Sequence, residues 1–274
     1  MVSQYDINEI DNEIKTWLQE LNLRMPSLIE EMQTDTKKNR FDLVTNVDKM
    51  IESDFESFIN KHYPTHKLYS EEAHQATLNL KEGYTWVMDP IDGTANLVKQ
   101  QDDYCVILAL FVDGAPTLSY IYDVPRQILY HAQKGKGAFI NNKRLATVTS
   151  LPLSEAIISF NNKVLNDETM HELLKASFGY RLIGACGLDS ARVFTGQFGA
   201  HIHTNAKPWD IAAQFLFAEE LGLEMTNFDK QPIDFVTGGP YIISNPGCHE
   251  EILDILLADG GYKKEQLRLK TDLK

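Results

Sequence analysis

Between Tyr104 and Ala132 the chain reads as consecutive strands, and one of them limits most what it can fold into. Cys105–Val112 is the longest uninterrupted apolar run in the sequence. It falls far short of the ~20 residues that a membrane-spanning helix needs, and it suits a buried strand. Asp113-Gly114 follows at once, a strong hairpin signal, ahead of the run Thr117–Tyr122. Ile128–Ala132 continues the pattern, Asn141-Asn142 is a weaker hairpin signal, and Lys67–Ser70 and Tyr84–Met88 read as further strands upstream. The order is that of an antiparallel sheet.

Helices flank this sheet in sequence. Ile7, Ile10, Ile14, Trp17, Leu18 and Leu21 recur at helical spacing behind a capping Asp6, and Pro26 is expected to end or kink the helix. The polar, basic stretch Thr34–Arg40 is expected to be an exposed loop. A second helix is expected from Thr45 or Asn46, with Val47, Met50, Ile51, Phe55, Phe58 and Ile59 on its core stripe and Pro64 just past its end. After about residue 145 the rhythm changes to alternation. Strands at Ile157–Phe160, Tyr180–Gly184, Ala200–His203 and Tyr241–Ser244 are interleaved with helices near Asp167–Phe178, Leu188–Gln197, Trp209–Leu221 and His249–Ala258. The pattern predicts an α+β N-terminal half, residues 1–145, and an α/β C-terminal half, 146–274, packed as one unit around a cleft.

Composition narrows the function. With 26 basic against 39 acidic side chains the net charge is −13. A general nucleic-acid binder needs a basic face to replace phosphate counterions, and a membrane-surface anchor needs a polybasic one; neither is expected. A small phosphorylated substrate remains compatible, because a metal cluster can reverse the local field of an acidic protein. The first residues carry acids where a secretory signal carries Lys or Arg. Cys105, Cys186 and Cys248 are scattered, without Cys-x-x-Cys spacing, so neither a disulfide framework nor a zinc site is expected. A cytoplasmic protein is the expectation.

The chemistry concentrates in Trp86-Val87-Met88-Asp89-Pro90-Ile91-Asp92-Gly93-Thr94-Ala95-Asn96. An apolar strand ends at Asp89, and Asp92 follows three residues on across a turn stiffened by Pro90. Two carboxylates so placed can converge on a hard divalent ion such as Mg2+, and the N–H groups of Gly93, Thr94 and Ala95 can cradle a phosphate. A capped, solvated turn explains the same residues on their own. Two further features favour the metal: Glu71-Glu72 follows a strand that can lie beside Tyr84–Met88, and Asp210 stands in the first turn of an apolar helix in Lys207-Pro208-Trp209-Asp210. An exposed acidic pair and a helix cap are their plainer readings.

Together, Asp-Pro-Ile-Asp-Gly-Thr, the upstream Glu-Glu and the downstream Trp-Asp resemble the inositol monophosphatase family, a group of Mg2+-dependent, lithium-sensitive phosphatases with fructose-1,6-bisphosphatase and NADP(H) phosphatase relatives. The resemblance runs through nearly the whole chain and implies a layered αβαβα sandwich and a homodimer. It implies Glu71, Asp89, the Ile91 carbonyl, Asp92 and Asp210 as ligands for two or three Mg2+ ions. Thr94 and Asp48 are implied to orient the attacking water with Glu71, Gly93, Thr94 and Ala95 to bind phosphate, and Lys37 to be the mobile-loop lysine. Ala185, Cys186, Asp210 and His203 fall at its substrate positions, with His203 where inositol-specific relatives carry Glu. Asp189 and Ser190 are read as hydroxyl contacts or helix caps, and Arg192 and Lys207 as basic contacts or surface charges. Ser70 replaces the Gly that usually precedes the acidic pair.

The expected activity is hydrolysis of a small phosphate monoester of the inositol 1-phosphate type, by a metal-activated water and without a phospho-enzyme. The 2′-phosphate of NADP(H) and fructose 1,6-bisphosphate are the alternative substrates. A metal- and phosphate-binding regulatory module is the alternative without catalysis.

Overall fold

The computed structural model describes residues 5–37, 43–72, 78–161, 165–258 and 262. Lys38, Asn39 and Arg40 of the polar stretch lie outside these. Helix α1 (Ile7–Glu30) starts at Asp6, whose carboxylate accepts the Asn8 N–H at 2.8 Å. It continues through Pro26 for another turn rather than ending there. The reason is burial: Met25 is in the core, and Leu28 and Ile29 pack against the same cluster, offsetting the one hydrogen bond that proline removes. The stretch expected as loop opens with strand β1 (Thr34–Thr36), antiparallel to β2 (Leu43–Thr45). All of β1 is exposed, so no buried face left a hydrophobic pattern to read.

Helix α2 (Asn46–His62) begins with a capping box in which Thr45 caps and Asp48 answers. The large sheet then takes β3 (Lys67–Ser70), β4 (Tyr84–Asp92), β5 (Cys105–Val112), β6 (Ala115–Asp123), β7 (Ile128–Gln133), β8 (Gly137–Ile140) and β9 (Lys143–Arg144) in sequence order, with helix α3 (Thr94–Gln100) leaving between β4 and β5. Every neighbouring pair is antiparallel except β3 with β4, which is parallel. Asp113 and Gly114 both take positive φ, 49° and 83°, as the tight β5–β6 hairpin requires.

The second sheet is mixed, in the order β11 (Gly179–Tyr180), β10 (Ile157–Phe160), β12 (Ala200–Ala206), β14 (Gly239–Ser244) and β13 (Glu224–Thr226). Its helices are α4 (Asp167–Ala176), α5 (Cys186–Phe194), α6 (Pro208–Leu221) and α7 (Pro246–Leu257). The strand expected over Tyr180–Gly184 shrinks to Gly179–Tyr180, because the backbone beyond it turns away to feed α5. Strand β13 was not anticipated: it is three residues at a sheet edge and none of them is fully buried.

The cores show the layering. Against one face of the large sheet, Trp86, Met88, Leu108 and Tyr120 pack on α1 and α2 through Leu18, Ile51 and Phe55. Against the other, Val87, Cys105, Ile107 and Phe111 pack on α5 and α6 through Leu188, Phe194, Ile211 and Phe217, and this layer also meets Tyr241 and Ile243 of the second sheet. The far face of that sheet, with Ile158, Ile202 and Ile242, is closed by Leu173 of α4 and Ile252 of α7. The architecture is α–β–α–β–α, as the resemblance implied. Helix α6 is apolar around its circumference because it is buried between two sheets. Among the described residues no helix is long and apolar enough to cross a membrane.

Candidate active site

Strand β4 does not end at Asp89 in a turn; it runs to Asp92 with a bulge. Asp89 pairs with Ile107 and Asp92 with Cys105, so three steps on β4 match two on β5. In a regular strand, residues three apart point to opposite faces. The extra residue brings both carboxylates to the face that Cys105 and Ile107 share, toward the α5–α6 layer. Pro90 has no N–H to give a ladder, and a bulge is where a sheet tolerates it.

Parallel pairing brings Glu71 alongside. Ser70 is opposite Met88 and the Glu71 N–H reaches the Met88 carbonyl at 3.3 Å, so Glu71 leaves the sheet next to Asp89. Lys37 lies on this acidic pair, its Nζ 2.8 Å from Glu71 Oε1 and 2.5 Å from Glu72 Oε1. From the other sheet's side, Asp210 in the first turn of α6 accepts the Lys207 N–H at 2.7 Å. It therefore caps its helix and also faces the cluster.

Gly93 follows with φ +93°, where a Cβ would come within 3.0 Å of both the Asp103 carbonyl and the Ala185 Cβ; only glycine fits. This kink starts α3. The Thr94 hydroxyl then shares its hydrogen between Asp48 Oδ1 at 3.1 Å and the Ile91 carbonyl at 3.0 Å. Asp48 is held in turn by the Thr45 N–H at 2.9 Å and the Thr45 hydroxyl at 2.6 Å.

The electrostatics register this convergence. Burial pushes Asp89 well above the usual carboxylate range, and the charges of Glu71, Asp92, Asp210 and Asp48 all push the same way. Burial takes Asp210 up to about 8, with Asp92 adding to it. Asp92 rises to about 6 by burial, although the N–H groups of Gly187 and Cys186 oppose the shift. Burial also raises Glu71 against the pull of Lys37, and Asp48 against its Thr45 bonds. Burial works against the charge of Lys37, but Glu71 and Glu72 outweigh it and hold the ammonium above its ordinary value. Among the described residues no three acidic, histidine or cysteine side chains close on one point as a finished cage. The carboxylates are each anchored to a neighbouring N–H or ammonium and coupled through their fields. Hard oxygen donors that raise one another's pKa values fit a divalent cation, which would remove the repulsion.

The substrate positions of the resemblance are placed as follows. Ala185 is buried at the N-cap of α5. Cys186 donates its N–H to Asp92 Oδ1 at 3.1 Å, while its Sγ lies 3.0 Å from Tyr241 Oη. His203 is half-buried on β12, its ring against the Asn161 amide at 3.2 Å and accepting the Asn205 N–H at 3.3 Å. Asp189 does not cap its helix; it accepts the N–H groups of Ile183 and Gly184 upstream, at 3.1 and 3.0 Å. Ser190 is buried near the Tyr241 hydroxyl, and Arg192 holds Gln197 at 2.8 Å. The Lys207 side chain is exposed.

The sequence reading passed over three residues. Glu52, one turn beyond Asp48, is buried and accepts the Glu72 N–H at 3.0 Å, with the Ser70 hydroxyl as a second partner. A charge among the apolar positions of α2 was the available signal. Cys105 gives its S–H to Asp92 Oδ2 at 3.3 Å, and the Asn96 amide reaches Ile183 in the other half. Neither left a local signal, because both partners are distant in sequence.

The chain matches the inositol monophosphatase family over residues 7–258. It is 34% identical over 253 residues to "Inositol-1-monophosphatase" of Bacillus subtilis (strain 168), covering 90% of this chain and 96% of that one. A staphylococcal inositol monophosphatase-1, solved as an inhibitory complex soaked in LiCl, superposes with a TM-score of 0.94 at 55% identity, covering 96% of this chain and all (100%) of the other. An IMPase/NADP phosphatase complexed with Mg2+ and phosphate matches with a TM-score of 0.92 at 56% identity, covering 94% and 98% of the two chains. With the match running from the first helix to the last, this chain belongs to the inositol monophosphatase family.

Proposed function

We propose that the cluster formed by Glu71, Asp89, Asp92 and Asp210 is the catalytic centre of a Mg2+-dependent phosphatase acting on inositol 1-phosphate. The chain is a phosphoric monoester hydrolase of the inositol monophosphatase type. One observation carries the assignment to this site: the Asp89 carboxyl feels Glu71, Asp92 and Asp210 at once, so carboxylates from three separate segments share one field.

Glu71, Asp89, the Ile91 carbonyl, Asp92 and Asp210 would hold the ions, two or three per site. Bound Mg2+ lowers the pKa of a water and neutralises the phosphate ester. The protein's own groups position the rest. Thr94, tied to Asp48 and Ile91, orients the attacking water, with Glu71 beside it, and the start of α3 at Gly93, Thr94 and Ala95 offers the phosphate N–H groups that have no partner within the helix. Lys37 follows Glu71 as its counter-charge. Ala185, Cys186, His203 and Asp210 are assigned to the leaving group. No protein nucleophile is needed.

A second substrate, the 2′-phosphate of NADP(H), is favoured by the 56% identity to an IMPase/NADP phosphatase. We further propose two halves, 1–145 and 146–274, a cytoplasmic homodimer, and inhibition by lithium. Phosphate release from inositol 1-phosphate, NADP+ and fructose 1,6-bisphosphate, with and without Mg2+, tests the reading. Metal-dependent release from the first two is expected. No release from any of them would overturn it in favour of a binding module.

A further inference from the structure

The backbone of Ile183 is captured from two sides. Its N–H goes to Asp189 of α5 at 3.1 Å, and its carbonyl accepts from the side-chain amide of Asn96 on α3 at 3.1 Å. The same amide nitrogen also donates to the Asp103 carbonyl at 2.8 Å. An amide nitrogen carries two hydrogens, and here both are spent, one within its own half and one across to the other. Gly184 follows with φ +88°, and a Cβ there would lie 3.6 Å from the Asn96 amide. Next come Ala185 against Gly93, and the N–H groups of Cys186 and Gly187 on Asp92, the latter at 2.7 Å.

Asn96 is planted close to the reacting groups. It stands two residues after Thr94 on a helix that begins at the Gly93 kink, and its own N–H bonds the Gly93 carbonyl at 2.8 Å. Any shift of α3 therefore pulls on Ile183, and any shift of Ile183 pulls on α3. A residue serving only its own loop would need the bond to Asp103 alone.

We infer that Asn96 is a positioning residue that locks the Ile183 end of segment 183–187 to the phosphate-binding turn, as Asp92 holds its Cys186–Gly187 end, so that the distance between the reacting phosphate and the leaving-group wall depends on this side chain. The inference rests on the proposed roles of Thr94 and Ala185. It implies that Asn96 governs fit for a substrate whose leaving group meets that wall, and leaves phosphate chemistry and metal binding alone.

The test compares the wild-type chain with Asn96→Ala and with Asn96→Leu, which keeps a side chain of similar size, removes the donors and adds no charge. Each is assayed on inositol 1-phosphate and on p-nitrophenyl phosphate, whose flat leaving group makes little use of a sugar wall. Backbone hydrogen exchange is followed in parallel over residues 180–190. Loss of the hydrogen bond to Ile183 should speed exchange of the segment about fivefold. It should raise KM for inositol 1-phosphate by roughly fivefold or more, since small misplacements of a bound substrate are costly. Turnover of p-nitrophenyl phosphate and the Mg2+ dependence should hold within about twofold. Unchanged exchange in both variants, or equal losses on the two substrates, would overturn the inference. A wild-type chain that releases no phosphate would sink the phosphatase reading instead, and the exchange measurement would then decide the Asn96 tie by itself.

Discussion

Asp92 carries three kinds of load on one carboxylate. Its two oxygens take the N–H groups of Cys186 and Gly187 and the S–H of Cys105, while its charge adds to the field at Asp89 and Asp210. Asn at this position keeps the volume but turns one acceptor into a donor, which must then face an N–H or an S–H. Asp92→Asn should lower kcat by about a thousandfold or more, given the several kcal/mol that a bound metal supplies to such a reaction. The circular dichroism of the variant should stay that of the native fold. Activity within tenfold of wild type would remove Asp92 from the metal set. Glu52 illustrates the opposite case at the same scale: buried, and spending its carboxylate on the Glu72 N–H and the Ser70 hydroxyl, it steadies the turn that carries Glu71. Ser70 thus has a partner of its own in Glu52.

Helices set the spacing of the site. Helix α2 places Asp48 and Glu52 one turn apart, so its first two turns hold both Thr94 and the acidic turn. Helix α5 does the same for Asp92, and it depends on close approach to β5. A Cβ on Gly187 would come within 2.9 Å of the Cys105 Sγ and 3.0 Å of the Ile107 Cδ1. Gly187→Ala should therefore push the start of α5 off the sheet and cost about 1–3 kcal/mol in stability, as overpacked cores do. Because the Gly187 N–H moves with it, and Ala185 and Cys186 beside it, half-saturation by Mg2+ and KM for inositol 1-phosphate should both rise severalfold. Denaturant unfolding with a Mg2+ titration checks both; normal metal dependence in a destabilised variant would mean that the helix start does not tune Asp92.

For the whole molecule, the acidic cluster makes stability depend on pH and metal together. The folded-state pKa values of Asp89, Asp92 and Asp210 lie above those of an unfolded chain, Asp92 at about 6 and Asp210 at about 8. Such groups are protonated, and cost nothing, below the unfolded carboxylate pKa of about 4. Their contribution is lost as pH rises from there through about 6 and about 8. Mg2+ should reverse the loss, binding more tightly as the protons leave. In thermal melts with chelator against saturating Mg2+, the rise in Tm caused by the ion should grow steadily from pH 5 to pH 8.5. A rise of the same size at every pH would argue that the cluster does not bind the ion. The layered architecture makes such coupling unavoidable, since the acids enter from both sheets' sides and only folding brings their charges together.

The elements were legible wherever burial has one face or a terminus has its own chemistry. Asp6, Thr45 and the Asp113-Gly114 turn mark their positions through local hydrogen bonds and positive φ, which need no distant partner. The acidic motifs were legible because three separate runs carried them. Strand β1, exposed along its length, and the continuation of α1 past Pro26 were not, since one lacks a buried face and the other is held by tertiary packing. Chain order alone determined which residues bear charge, roughly where most of the strands and helices lie, and that two acids stand three apart after the apolar run Trp86–Met88. Tertiary structure decided that these two share a face, through a bulge opposite β5. It also decided that Asp92 anchors α5 and that Asn96 reaches Ile183. Those contacts join residues far apart in sequence, and their strength comes from burial, which exists only once the layers have closed.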